Sequence, residues 1–98
     1  MAEQRRSPRT AIALDCTLTR RRGNPVRGRT RDVGTDGMLV VTERPLAIYE
    51  EVAFELVTSG EEHRDGRARV LREQGANCYA LRFEAAVEDI LDWVSQTT

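Results

Sequence analysis

The feature that most constrains this chain is an alternation of apolar and polar residues with period two, which runs from residue 11 to residue 84. Successive side chains of an extended strand point to opposite faces, so the alternation predicts strands with one face buried and one wet. Ile12, Leu14, Cys16 and Leu18 set the first strand, and Arg21-Arg22-Gly23-Asn24-Pro25 ends it as a turn. Val26 to Val33 reads as a second, more polar strand. Asp36-Gly37 signals a hairpin, because a type I′ turn needs positive φ at both central residues. Met38 to Thr42 is a short buried strand, and Pro45 to Glu50 a loop. Val52, Phe54 and Leu56 place a fourth strand at 51–58. Ser59 to Gly66 is polar enough for a solvated hairpin tip, with His63 on it. Arg67 to Glu73 and Asn77 to Glu84 form two more strands around Gln74-Gly75-Ala76.

The period then changes. Val87, Ile90, Leu91 and Val94 fall at i, i+3, i+4 and i+7, the stripe of an amphipathic helix, with Glu88 and Asp89 in its first turn. Ninety-eight residues hold a single domain with one modest core. The expected fold is therefore all-β with a terminal helix. It has an N-terminal arginine-rich arm over 1–10, a small six-stranded antiparallel β-barrel over 11–84, and a C-terminal α-helix over 86–96. Closure removes sheet edges, and the helix can cover an open end; an open sheet with the helix packed on it is the main competitor.

Composition excludes several function classes. The longest apolar run, Met38 to Val41, is far too short to span a bilayer. Met1 to Arg9 is polar with no apolar stretch after it, so no secretion signal is read and a cytoplasmic location is expected. Two cysteines and one histidine cannot build a four-ligand zinc site or a disulfide scaffold, so no metal is expected. Cys16 and Cys78 fall at apolar strand positions, where buried inert thiols are the default. His63 lies among charged residues with nothing to exclude water, and no P-loop or Rossmann glycine pattern occurs. No catalytic residue is assigned.

The net charge of −1 hides a division. Residues 1–31 carry nine arginines against two acids, a net +7, and residues 32–98 carry six against fourteen, a net −8. A basic first third points to an anionic partner. All 15 basic residues are arginine, whose planar fork can grip phosphate or a guanine edge. Within this region Arg5-Arg6-Ser7-Pro8-Arg9 forms R-x-x-x-R. The spacing alone means little, since about two such pairs are expected by chance at this arginine content. Asp32-Val33-Gly34-Thr35-Asp36-Gly37 follows the second strand. The bland reading is a hairpin apex. The functional one has Asp32 accepting from guanine N1–H and N2–H₂, with Gly34 and Gly37 admitting close backbone approach.

In combination these features resemble the PilZ domain family, bacterial receptors for cyclic di-GMP. The family's signature is R-x-x-x-R on an N-terminal arm, then D/N-x-S-x-x-G after the second strand. Arg5 and Arg9 match the first part, and Asp32 and Gly37 the second, while Gly34 stands at the serine position. The similarity extends through Met38-Leu39-Val40-Val41, Arg67-Ala68-Arg69-Val70 and the terminal helix. The resemblance implies that Arg5 and Arg9, with Arg6 beside them, grip guanine edges and phosphates and fold the arm over the barrel. Asp32 would read guanine and Gly37 would hold the turn, while Gly34 lacks a hydroxyl the family uses. The implied ligand is cyclic di-GMP, with no cofactor, and the implied further partner is a downstream protein that receives the signal. The alternative is a degenerate PilZ-type interaction adaptor that binds no nucleotide. A barrel for single-stranded nucleic acid is disfavoured, because such sites stack bases on aromatics and Phe54, Phe83 and Trp93 are wanted for packing.

Overall fold

Alternating inward side chains from six strands meet in one interior. The structure, a computed structural model, describes residues 9–87 and 89–96. In chain order the elements are β1 (Arg9–Ala11), β2 (Asp15–Arg20), β3 (Val26–Gly34), β4 (Gly37–Thr42), β5 (Glu51–Val57), β6 (His63–Gly75), β7 (Cys78–Phe83) and α1 (Ile90–Ser95). Every pairing is antiparallel. The order β3-β2-β5-β6-β7-β4 closes through β4–β3 into a six-stranded barrel, as the alternation and short connections lead one to expect. The open-sheet competitor is thereby excluded. β1 is an extra strand that continues along the same edge of β3 as β2. β2 pairs with Val26 to Arg29, and β1 with Asp32 to Gly34.

The interior holds Leu14, Cys16, Leu18, Val26, Val33, Met38, Val40, Val52, Phe54, Leu56, Val70, Tyr79 and Leu81, all buried. Phe54 and Phe83 stack with ring centroids 5.1 Å apart. Burial pushes the Cys16 thiol up to about 12, so it stays protonated and inert at neutral pH. The helix buries Ile90, Trp93 and Val94 against the end of the barrel near β1 and β3. There the Trp93 indole N–H donates to Glu62 Oε1 at 3.2 Å.

Four expectations are corrected. The strand read from Ile12 is interrupted at Ile12 to Leu14. Ile12 N–H still donates to the Arg31 carbonyl and Thr30 N–H to the Leu14 carbonyl, but the other two ladder bonds are taken over by the buried Thr30 hydroxyl. It accepts from the Leu14 amide at 2.8 Å and donates to the Ile12 carbonyl at 2.6 Å. Asp36-Gly37 is no type I′ turn, and neither residue has positive φ. The connection is Thr35-Asp36, tied from the neighbouring strand by the Phe83 amide, which donates to the Asp36 carbonyl at 2.8 Å. His63 opens β6 opposite Val57 instead of riding a loop. Its stretch of β6 conceals the alternation, because two inward positions are Arg64 and Gly66. Arg64 stacks over the Trp93 ring at 5.1 Å, and Phe54 occupies the place of a Gly66 side chain. Finally, the helix spans Ile90–Ser95 rather than 86–96. Asp89, with φ of 62°, is left-handed and marks its start, so the first-turn acid is Asp92.

Candidate functional site

Strand register, not sequence proximity, assembles the site. Ala11 faces Asp32 and Arg9 faces Gly34 across β1 and β3, so Arg9 and Asp32 are diagonal neighbours on one face. A diagonal separation is about 7–8 Å, within reach of an arginine. Arg9 Nε donates to Asp32 Oδ1 at 2.9 Å and Nη2 to the same oxygen at 2.5 Å. Gly34, directly opposite Arg9, contributes no side chain that would stand in the way. Both charged groups are partly exposed, so the pair contributes at most about 1 kcal/mol and can be opened by a competing ligand.

An open groove of about 710 Å³ runs from this ion pair over the outer face of β4, β7 and β6. One row of paired residues crosses it: Asp32 on β3, Leu39 on β4, Ala80 on β7 and Arg72 on β6. A second row runs Gly37, Arg82, Arg69. Leu39, Ala80 and Leu71 give an apolar floor, and Arg9, Arg72, Arg82 and Asp32 give a charged rim. Three register shifts lie along it, at Arg31, Leu71 and Gln74, and the first two set its charged rim. Arg31 is the extra residue between Thr30 and Asp32, and Leu71 the one between Val70 and Arg72. Each bulge shifts the following residue by one place, which returns Asp32 and Arg72 to the outer face. Gly37 is required for another reason than turn conformation. A Cβ there would collide with the Leu81 carbonyl oxygen, so glycine lets β4 and β7 close at the groove floor.

Of the residues singled out from sequence, Arg9, Asp32 and Gly37 come together along the groove. Gly34 sits beside them in β3, paired with Arg9, but does not itself line it. Arg5 and Arg6 lie outside the described residues. Arg72, Arg82, Leu39 and Ala80 were not foreseen. Their outward positions are legible from alternation, but the β4–β7 pairing that makes them neighbours joins strands far apart in sequence. At the groove wall, Glu84 accepts from Arg69 Nη2 at 2.8 Å. Among the described residues no cluster of histidine, cysteine and acid side chains could hold a metal ion, and no helix is long and apolar enough to cross a membrane.

The described residues form a small closed barrel with β1, which carries Arg9, on one side of an open groove on its outer surface. The family profile of the PilZ domain matches residues 3–96, and the chain belongs to the PilZ domain family. Among solved structures it is similar to the crystal structure of the PilZ domain of CeSA from a cellulose-synthesizing bacterium. The two share 19% identity at a TM-score of 0.73, over 91% of this chain and 99% of that one. At this identity the likeness is one of fold. A comparison with curated proteins gives no significant match.

Proposed function

We propose that this protein is a cyclic di-GMP receptor that passes the signal to a partner protein. The family supplies the prior, since PilZ domains are binding and adaptor modules and the family is generally one of cyclic di-GMP receptors. The observation that carries the reading is the Arg9–Asp32 contact at the mouth of the groove. It joins the last arginine of the arm motif to the first residue of the barrel motif. In the bound state Asp32 would accept from the guanine N1–H and N2–H₂ edge, and Arg9 would turn from Asp32 to O6, N7 or a phosphate. The ion pair then acts as a placeholder that a guanine displaces at small cost. Arg5 and Arg6 would close the arm over the nucleotide.

One observation favours the second reading, an adaptor that binds no nucleotide. Gly34 stands where the family has a serine, so the site lacks one hydroxyl. Calorimetric titration with cyclic di-GMP separates the two. Saturable binding is expected, and Arg5→Ala and Arg9→Ala should each weaken it about 5- to 150-fold, the range for a lost bidentate guanine contact of about 1–3 kcal/mol. Absence of binding by the intact chain selects the adaptor reading. Binding that neither substitution alters would show that the arm is not the clamp.

A further inference from the structure

We propose that Arg72 and Arg82 form a second, barrel-borne anion subsite, which holds a phosphodiester of the ligand on the side of the groove away from the arm. The inference rests on the receptor reading above and deepens it, because neither residue belongs to the two-part signature.

Three observations carry it. First, both arginines line the groove, on β6 and β7, and among the described residues their guanidinium groups have no hydrogen bond or ion pair. The neighbouring charges are engaged: Arg9 with Asp32, and Arg69 with Glu84 and the Tyr49 carbonyl. Second, Arg82 pairs directly with Arg69 across β6 and β7. Like charges opposite one another in a sheet are unfavourable, and Glu84 neutralises only Arg69. A bound anion at Arg82 would relieve the remainder. Third, the row Asp32–Leu39–Ala80–Arg72 crosses three strand spacings, about 14 Å between the outer backbones. The floor between them is small and apolar, Leu39 and Ala80. Such a groove suits a ligand that presents a base edge at the Asp32 bank and a phosphodiester towards the Arg72 bank, as a cyclic dinucleotide can. The Arg72 bank exists only because the bulge at Leu71 turns Arg72 outward opposite Ala80.

The test is titration of the full chain with cyclic di-GMP at several salt concentrations. The variants are Arg72→Ala, Arg82→Ala, the double variant, Arg82→Lys, and Arg44→Ala as an exposed arginine outside the groove. Each alanine change in the groove should weaken binding about tenfold, the effect of one charge-assisted hydrogen bond. The slope of log affinity against log salt should flatten by about one per lost phosphate contact. Arg82→Lys should keep the salt slope while losing part of the affinity, and Arg44→Ala should bind as the unaltered chain does. The groove variants should melt with the unaltered chain, since neither guanidinium has a partner to lose. If the unaltered chain binds and Arg9→Ala weakens it, yet Arg72→Ala and Arg82→Ala bind normally, the subsite is overturned and the receptor reading stands. If the unaltered chain does not bind, both fall together.

Discussion

Arg9 and Asp32 lie 23 residues apart and touch because Gly34 and Ala11, the residues opposite them, carry almost nothing between them. Gly34 therefore has two readings at the scale of a single residue: a lost hydroxyl, or space that lets Arg9 reach Asp32. Its backbone is extended and its φ is not positive, so no left-handed conformation stands in the way of a side chain. A serine there would point to the same face as Asp32 and stand opposite Arg9. Gly34→Ser is expected to tighten cyclic di-GMP binding about 2- to 12-fold at unchanged melting temperature, the range for one added hydrogen bond of about 0.5–1.5 kcal/mol. A stable variant that binds no tighter would make the serine position irrelevant in this chain. Gly37 differs, because the Leu81 carbonyl leaves no room for any side chain.

At the scale of elements, the break between β1 and β2 decides where the arm begins. At Ile12 to Leu14 the regular ladder to β3 is interrupted. Ile12 N–H still donates to the Arg31 carbonyl and Thr30 N–H to the Leu14 carbonyl, and the Thr30 side chain supplies the other two hydrogen bonds. Thr30→Val preserves shape and removes the hydroxyl, which leaves the Leu14 amide and the Ile12 carbonyl to find other partners. The loss should be about 1–3 kcal/mol in urea unfolding, because these groups are taken out of water. A change under about 0.5 kcal/mol would mean that water reaches the gap and that Thr30 does not fasten the arm strand. The same scale shows where alternation misled. β6 runs for thirteen residues, His63–Gly75, yet its first turn-like stretch reads as loop. There the apolar surface is supplied from elsewhere, by Phe54 over Gly66 and Trp93 beneath Arg64.

For the whole molecule, the division between a basic first third and an acidic remainder maps onto the fold. Arg27, Arg29 and Arg31 are exposed along β3, the strand that carries Asp32. This arginine line would draw an anion towards the groove, and it raises the question of how long that anion is. Cyclic di-GMP has two phosphates, so its affinity should fall only about tenfold between 50 and 200 mM salt. A nucleic-acid strand that meets six or more arginines would lose about a thousandfold or more over the same range. Titration across that range, with an unrelated oligonucleotide as comparator, reads the difference directly. A steep slope with tight oligonucleotide binding would replace the receptor reading with a polyanion-binding one.

Period-two patterning was enough to specify most of the strands and inward residues and the presence of a terminal helix, because alternation and the helical stripe are local properties of the chain. It missed the break at Ile12 to Leu14, the start of β6 and the helix bounds. Arg9, Asp32 and Gly37 were marked by the resemblance to the two-part PilZ signature, whose short motifs are legible in the chain without any structure. Three things depended on tertiary structure. Bulges at Arg31 and Leu71 shift which residues face outward, and a single inserted residue leaves no trace in composition. The β4–β7 pairing brings Leu39, Ala80, Arg72 and Arg82 to one surface, and long-range pairing is selected by barrel closure rather than by neighbouring residues. The conformation at Asp36-Gly37 followed the same logic. An Asp-Gly pair favours a type I′ turn in isolation, but the Phe83 amide and the Leu81 carbonyl, both from β7, fixed a different one.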